Sequence, residues 1–215
     1  MIKVKAAHEP PGFDAKVRKP GHTYLGSVPA GKKVRFRGRE YWRKVLDELH
    51  DSYQGICAYT CHYIPADTGG DTVEHFEPKS LVPSLAYEWS NYRFVCSRLN
   101  ARKGNRTDVV DPFLVPKGMF RMHFPSLQVQ VGEGLSAAHV KLAKSTIKRL
   151  KLNQERNIKA RLEYVTRYRD GKHSLSHLED HAPFIHGELK RQRLTRARLT
   201  ILMPPALYPL RKKLS

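Results

Sequence analysis

The hydrophobic period changes twice along this chain, and that change restricts the fold more than any single residue does. Trp42, Val45, Leu46, Leu49 and Tyr53 fall at i, i+3, i+4, i+7 and i+11, one face of a helix over 39–53. The spacing then shortens. Segments 56–64 and 72–76 read as short strands on either side of a turn-rich stretch, and Ser97–Lys103 opens a short helix. Phe120, Met122 and Phe124, then Leu127, Val129 and Val131, alternate about Pro125-Ser126, which predicts a β-hairpin. From 136 onwards the helical period returns. Val140, Ala143, Ile147, Leu150, Ile158, Leu162 and Val165 share one stripe behind the N-cap candidate Ser136, which predicts one long helix over 136–169. A further basic helix is expected over 187–199. The mixture implies an α+β chain. Residues 1–38 are rich in Pro, Gly and basic residues with little periodicity, and predict an extended arm with turns at Pro10-Pro11-Gly12 and Pro20-Gly21. Three regions result: an arm over 1–38, a mixed domain over 39–135 and a basic, mainly helical region over 136–215.

Charge points to the class of partner. The 215 residues hold 39 Lys and Arg against 20 Asp and Glu, a formal net charge of +19. Nineteen of those cations and only six of the acids lie from Ser136 onwards. A basic region of this size favours a polyanion, and nucleic acid is the default; the plainer alternative is a solvated basic surface. No run of apolar residues is long enough to cross a membrane, since Pro204, Pro205 and Pro209 break the apolar stretch near the end. The N-terminus has no apolar leader. Three cysteines, an odd number, make no disulfide framework, which points to a reducing cytoplasm.

The chemistry gathers between 71 and 105. Val73-Glu74-His75-Phe76-Glu77-Pro78-Lys79-Ser80 is followed by Trp89-Ser90-Asn91-Tyr92. Then comes Asn100-Ala101-Arg102-Lys103-Gly104-Asn105. Phosphodiester hydrolysis needs a base for the attacking water and positive charge against the phosphorane and the leaving 3′ oxygen. A neutral imidazole, His75, suits the first need. A divalent ion on hard oxygens would suit the second, and Glu74 and Asn100 offer a carboxylate and an amide carbonyl. Asn91 could hydrogen-bond to the ring or backbone of His75. Lys79, Arg98, Arg102 and Lys103 lie close by in sequence as candidate phosphate contacts.

These three elements in this order resemble the HNH endonuclease superfamily, of ββα-metal fold, over roughly residues 55–112. The resemblance implies His75 as general base, Glu74 and Asn100 as ligands of one Mg²⁺ or Mn²⁺, and Asn91 as the residue that orients the base. It implies an endonuclease acting on nucleic acid, DNA before RNA. The whole layout also resembles HNH nucleases of Septu-type anti-phage defence systems, which implies an ATPase partner subunit. A catalytically inactive HNH scaffold that binds nucleic acid or another protein is the alternative.

The chain departs from the zinc-bearing members of that superfamily. Cys57 and Cys61 are separated by three residues rather than two, and Leu99 stands where a second pair would close after Cys96. A structural Zn²⁺ is therefore not expected, although His62 could be recruited as a fourth ligand; buried apolar packing is the expected role of Cys57 and Cys96. His173, His177 and His181 repeat at i, i+4 and i+8 and, with His186, tempt a metal reading, but no metalloprotease-type acid adjoins them. A polar helix face is the simpler expectation. Trp42 and Trp89 read as core. The basic tail over 190–213 is a further candidate for nucleic acid or an acidic partner.

Overall fold

The computed structural model describes residues 1–208, and the end of the basic tail, from 209 onwards, lies outside the described residues. The chain is mixed α and β, with eight α-helices and two small antiparallel sheets among the described residues. It divides into two compact units. The first is formed by Val4–Tyr59 and Ile64–Leu114, the second by Met1–Lys3, Thr60–Tyr63 and everything from Val115 on. No described helix is long and apolar enough to cross a membrane.

In the first unit, strands β1 (Asp71–His75) and β2 (Tyr92–Cys96) pair antiparallel, with Val73 opposite Phe94 and His75 opposite Tyr92. Helix α3 (Ser97–Lys103) starts at the residue after β2 and packs back on both strands. The sequence expects a short helix to begin in this segment, and α3 does so. Helix α2 (Leu46–Ser52) follows a 3₁₀ turn over Tyr41–Val45, so the predicted helix over 39–53 is present with a tightened first turn.

Two expectations fail in this unit. Residues 1–38 are not one extended arm, because a π-helical turn over Asp14–Arg18 runs into helix α1 (Lys19–Ser27). Pro20 sits at the first turn of α1, where a missing N–H costs nothing, and the widened turn ahead of it spares a carbonyl the clash with its ring. Gly21 is required there: a Cβ would lie 2.1 Å from the Tyr87 ring. The region is also tied down, with Phe13 fully buried edge-on to Trp89 and Tyr92, and the Trp89 indole donating to Ala7 O at 3.0 Å. Segment 56–64 is turn rather than strand. Gly55 and Cys61 take left-handed φ values of 66° and 54°, which a pleated strand cannot accommodate.

The second unit holds the predicted hairpin, β3 (Phe120–His123) with β4 (Gln128–Val131), and helices α4 (Ala137–Arg149), α5 (Glu155–Arg169), α6 (Leu175–His181), α7 (Pro183–Arg191) and α8 (Arg196–Leu202). The long helix expected over 136–169 is two. Leu150 and Leu152 are buried around Lys151, whose φ of 51° ends the helical run. Asn153 then uses its amide to bond both Val129 N (2.7 Å) and Val129 O (2.8 Å), drawing the turn onto β4. The helix expected over 187–199 is likewise split between α7 and α8, with Arg193 at φ 54° in the bend.

Candidate active site

Alternation along β1 sends Thr72 and Glu74 to one face and Val73 and His75 to the other. Helix α3 lies on the Thr72 and Glu74 side, presenting Asn100 and Lys103 one turn apart. The Asn100 amide donates to Thr72 Oγ1 at 3.0 Å and to Val73 O at 3.3 Å. Lys103 is completely buried, and its ammonium meets three oxygens: Glu74 Oε1 at 2.7 Å, Phe76 O at 2.7 Å and His75 O at 3.2 Å. All three of its N–H donors are thus satisfied. The second Glu74 oxygen accepts from Tyr59 OH at 3.3 Å. Burial pushes the Glu74 carboxyl up, and the Lys103 charge opposes that shift.

On the opposite face, the His75 ring is wedged edge-on between Trp42 and Tyr92, at centroid distances of 4.7 and 5.2 Å. His75 is 5% exposed. Its Nε2 lies 2.9 Å from Ala86 O, a pure acceptor, so Nε2 carries the proton and Nδ1 carries the lone pair. Nδ1 has no protein partner. Among the described residues the one buried side-chain nitrogen or oxygen without a partner is His173 Nδ1, so His75 Nδ1 keeps contact with solvent. Burial, aided by the positive charge of Lys79, pushes the imidazole down to about 3. The ring is neutral across the physiological range.

Asn91 acts on this ring through the backbone. Its Oδ1 accepts from Glu77 N at 2.7 Å, and its Nδ2 donates to Glu77 O and Leu85 O, both at 3.0 Å. Its own carbonyl accepts from Phe76 N at 2.9 Å. It therefore pins the residue beside Ala86, whose carbonyl receives both His75 Nε2 and Tyr92 OH at 2.9 Å. Asn91 is a positioning residue that touches no atom of the imidazole.

An open pocket of about 560 Å³ adjoins these groups, lined by Trp42, Glu40, Asp71, Lys79 and Asn100 among others. Lys79 Nζ stands 5.2 Å from the centre of the Trp42 ring. Of the four candidate phosphate contacts, Lys79 lines this pocket, Arg98 and Arg102 are half-buried on α3, and Lys103 reaches no surface at all. Lys103 is therefore not a phosphate contact; it is an internal cation, placed there because i, i+3 spacing puts it on the same helix face as Asn100. Three participants carried no sequence signal: Tyr59, Trp42 as a wall of the His75 pocket, and the Ala86 carbonyl, which any residue type would supply.

The expected Mg²⁺ or Mn²⁺ ligands do not fit such an ion as they are packed. The Glu74 carboxylate is 1% exposed and already holds a cation, the Lys103 ammonium, while Asn100 faces the pocket. Among the described residues no group of three or more His, Cys, Asp or Glu is placed to hold a metal. The three cysteines do not gather at one point. Cys57 is buried and its sulfur accepts from Cys96 N at 3.4 Å; a side-chain hydrogen bond between the two cysteines, together with burial, pushes the Cys96 thiol up, whereas Cys61 belongs to the second unit. In that second unit the rings of His173 and His177 are tilted at a centroid distance of 3.9 Å, and those of His177 and His181 stack at 4.2 Å. Compared with known protein-family models and with curated protein sequences, the chain matches none.

Proposed function

We propose that the first unit is a hydrolytic endonuclease site of HNH type, cutting phosphodiester bonds of nucleic acid, DNA in the first instance, with β1, β2 and α3 as its ββα core. The observation that carries this reading is the state of His75. It is a neutral imidazole held by one nitrogen on a backbone carbonyl, with the other nitrogen free of any protein partner and the Lys79 charge close by. A neutral ring with a free lone pair is the form in which a general base acts, and at a pKa of about 3 it is a weak one until a bound phosphate raises it.

In this reading Nδ1 takes a proton from water, the resulting hydroxide attacks phosphorus, and the P–O3′ bond breaks. The leaving oxygen takes its proton from solvent. Bound phosphate raises the imidazole pKa, because its negative charge opposes Lys79, so the base strengthens when substrate arrives. Lys79 meets charge on the phosphate, and Asn91 keeps the Ala86 carbonyl in place. No step is assigned to a divalent ion, because Glu74 does not present its carboxylate. The sealed Glu74–Lys103 pair favours a second reading, a scaffold that binds nucleic acid without cutting it. An ATPase partner, which the Septu-type resemblance implies, would appear as a co-purifying subunit.

Plasmid nicking separates the two readings. The wild-type protein is expected to relax supercoiled plasmid, and His75→Ala to lose roughly 10²- to 10⁴-fold in rate, the usual contribution of a positioned base. Running the assay with EDTA, Mg²⁺ and Mn²⁺ measures ion dependence separately. If wild type and His75→Ala nick alike, His75 is not the base. If both only retard the plasmid on a gel, the binding scaffold is the correct reading.

A further inference from the structure

In the second unit, α4 divides cleanly into two faces. Ala143 and Thr146 are completely buried, and Leu150 just beyond the helix is buried with them. Lys141, Lys144 and Lys148 are exposed. At about 100° per residue the three lysines point within about 60° of one another, on the side away from Ala143 and Thr146. They span about 10 Å of helix axis at about 1.5 Å per residue.

This face carries no compensating acid. Residues 136–154 contain five Lys and Arg and no Asp or Glu. The neighbouring α5 is arranged differently, with Lys159 paired to Glu155 and Arg167 to Glu163, both i, i+4. None of Lys141, Lys144 and Lys148 has an ion-pair partner among the described residues. Three like charges on one helix face repel one another. A helix built only for stability would interleave acids, as α5 does. The arrangement becomes favourable when an extended row of negative charge lies along it, and a phosphodiester backbone presents a negative charge every few ångströms.

We propose that the Lys141, Lys144 and Lys148 face of α4 is a docking surface for the sugar–phosphate backbone of nucleic acid, read without base specificity. It shares the polyanion of the nuclease reading but not its chemistry. A protein that binds through α4 and never nicks would sink the active-site proposal and leave this one standing.

The test is equilibrium binding of a fluorescent DNA duplex of roughly 20 base pairs by full-length protein, in EDTA, across a salt series. Replacing all three lysines by glutamine should make the slope of log affinity against log salt shallower by about 2 to 3, at about 0.9 per lost phosphate contact. It should also weaken binding at least about tenfold at about 0.1 M salt. The triple arginine variant keeps the charge and should retain slope and affinity. All three side chains are exposed, so the thermal midpoint should not move and reports that the glutamine variant is folded. An unchanged slope and affinity in the glutamine variant overturns the proposal and leaves an acidic protein surface as the reading of this face. Equal loss in the arginine variant also overturns it, since charge would then not be what matters.

Discussion

Lys103 and Arg161 are both cations with almost no exposed surface, one in each compact unit, and they are neutralised in different ways. Lys103 faces a carboxylate and two carbonyls. Arg161 meets backbone carbonyls, its Nε donating to Leu127 O at 2.7 Å and Nη2 to Leu152 O at 2.8 Å. Burial lowers the Arg161 guanidinium to about 10, still charged at neutrality. The guanidinium can be held this way because its planar fork spreads the charge and suits several acceptors at once, whereas a compact ammonium is costly to desolvate without a counter-charge. In the second unit the buried cation ties the hairpin to the α4–α5 turn. In the first it occupies the carboxylate that the sequence expects to serve as a metal ligand.

The comparison is most easily broken at Lys103. Lys103→Met keeps much of the volume but strands Glu74 as an unpaired buried charge, which should cost about 3–5 kcal/mol. Urea denaturation measures it. Adding Glu74→Gln should recover much of that loss, because no charge is then left uncompensated. If single and double variants are equally unstable, the pair is not electrostatic in origin. Mn²⁺ sharpens the point. Stabilisation of Lys103→Met by Mn²⁺, with none of wild type, would mean that the carboxylate accepts a divalent ion once the ammonium is gone.

Arg161→Met should be milder, at about 2 kcal/mol, because it leaves two carbonyl acceptors unsatisfied but no stranded charge. The same denaturation series reads it. A larger loss at Arg161 than at Lys103 would reverse the comparison and show that carbonyl dipoles hold a buried cation as firmly as a carboxylate does.

The sequence made the elements around the site legible where a single periodicity was uninterrupted. The hairpin of β3 and β4 follows directly from it, while the segments expected as a short strand and as the start of a helix hold β1, with Glu74 and His75, and α3. The failures share a physical cause. Whether 136–169 is one helix or two depends on Asn153 reaching Val129, a contact between residues far apart in the chain. Whether 14–27 is helical depends on a widened turn ahead of Pro20, which residue preferences disfavour. At the site, the identity of the motif residues was readable but their direction was not. Lys103 reads as a phosphate contact by proximity, although its i, i+3 relation to Asn100 already places it on the strand-facing side. The orientation of His75 rests on the Ala86 carbonyl, and a backbone acceptor leaves no trace in residue identity.

The smallest effect contrasts the buried imidazoles of the two units. Folding lowers the pKa of His75 to about 3 from its ordinary 6.5, chiefly by burial, and burial lowers His62 in the second unit as well. His62 is pushed down to about 3 as well, by burial and by the positive charges of Arg161 and the amino terminus, and has Tyr164 as its ring neighbour at 5.1 Å. For a group whose folded pKa is depressed in this way, the unfolded chain takes up the proton first. Stability is therefore full above about pH 6.5 and is lost as pH falls from there towards 3. At pH 5 the loss at His75 should be about 1–2 kcal/mol. His75→Gln cannot titrate, so the stability gap between wild type and this variant should narrow by that amount between pH 7 and pH 5. Imidazole NMR signals should show His75 still neutral at pH 5. A His75 titrating near 6.5, with a gap independent of pH, would mean that its ring is hydrated. The pocket formed by Trp42, Tyr92 and Ala86 would then not be what holds it neutral.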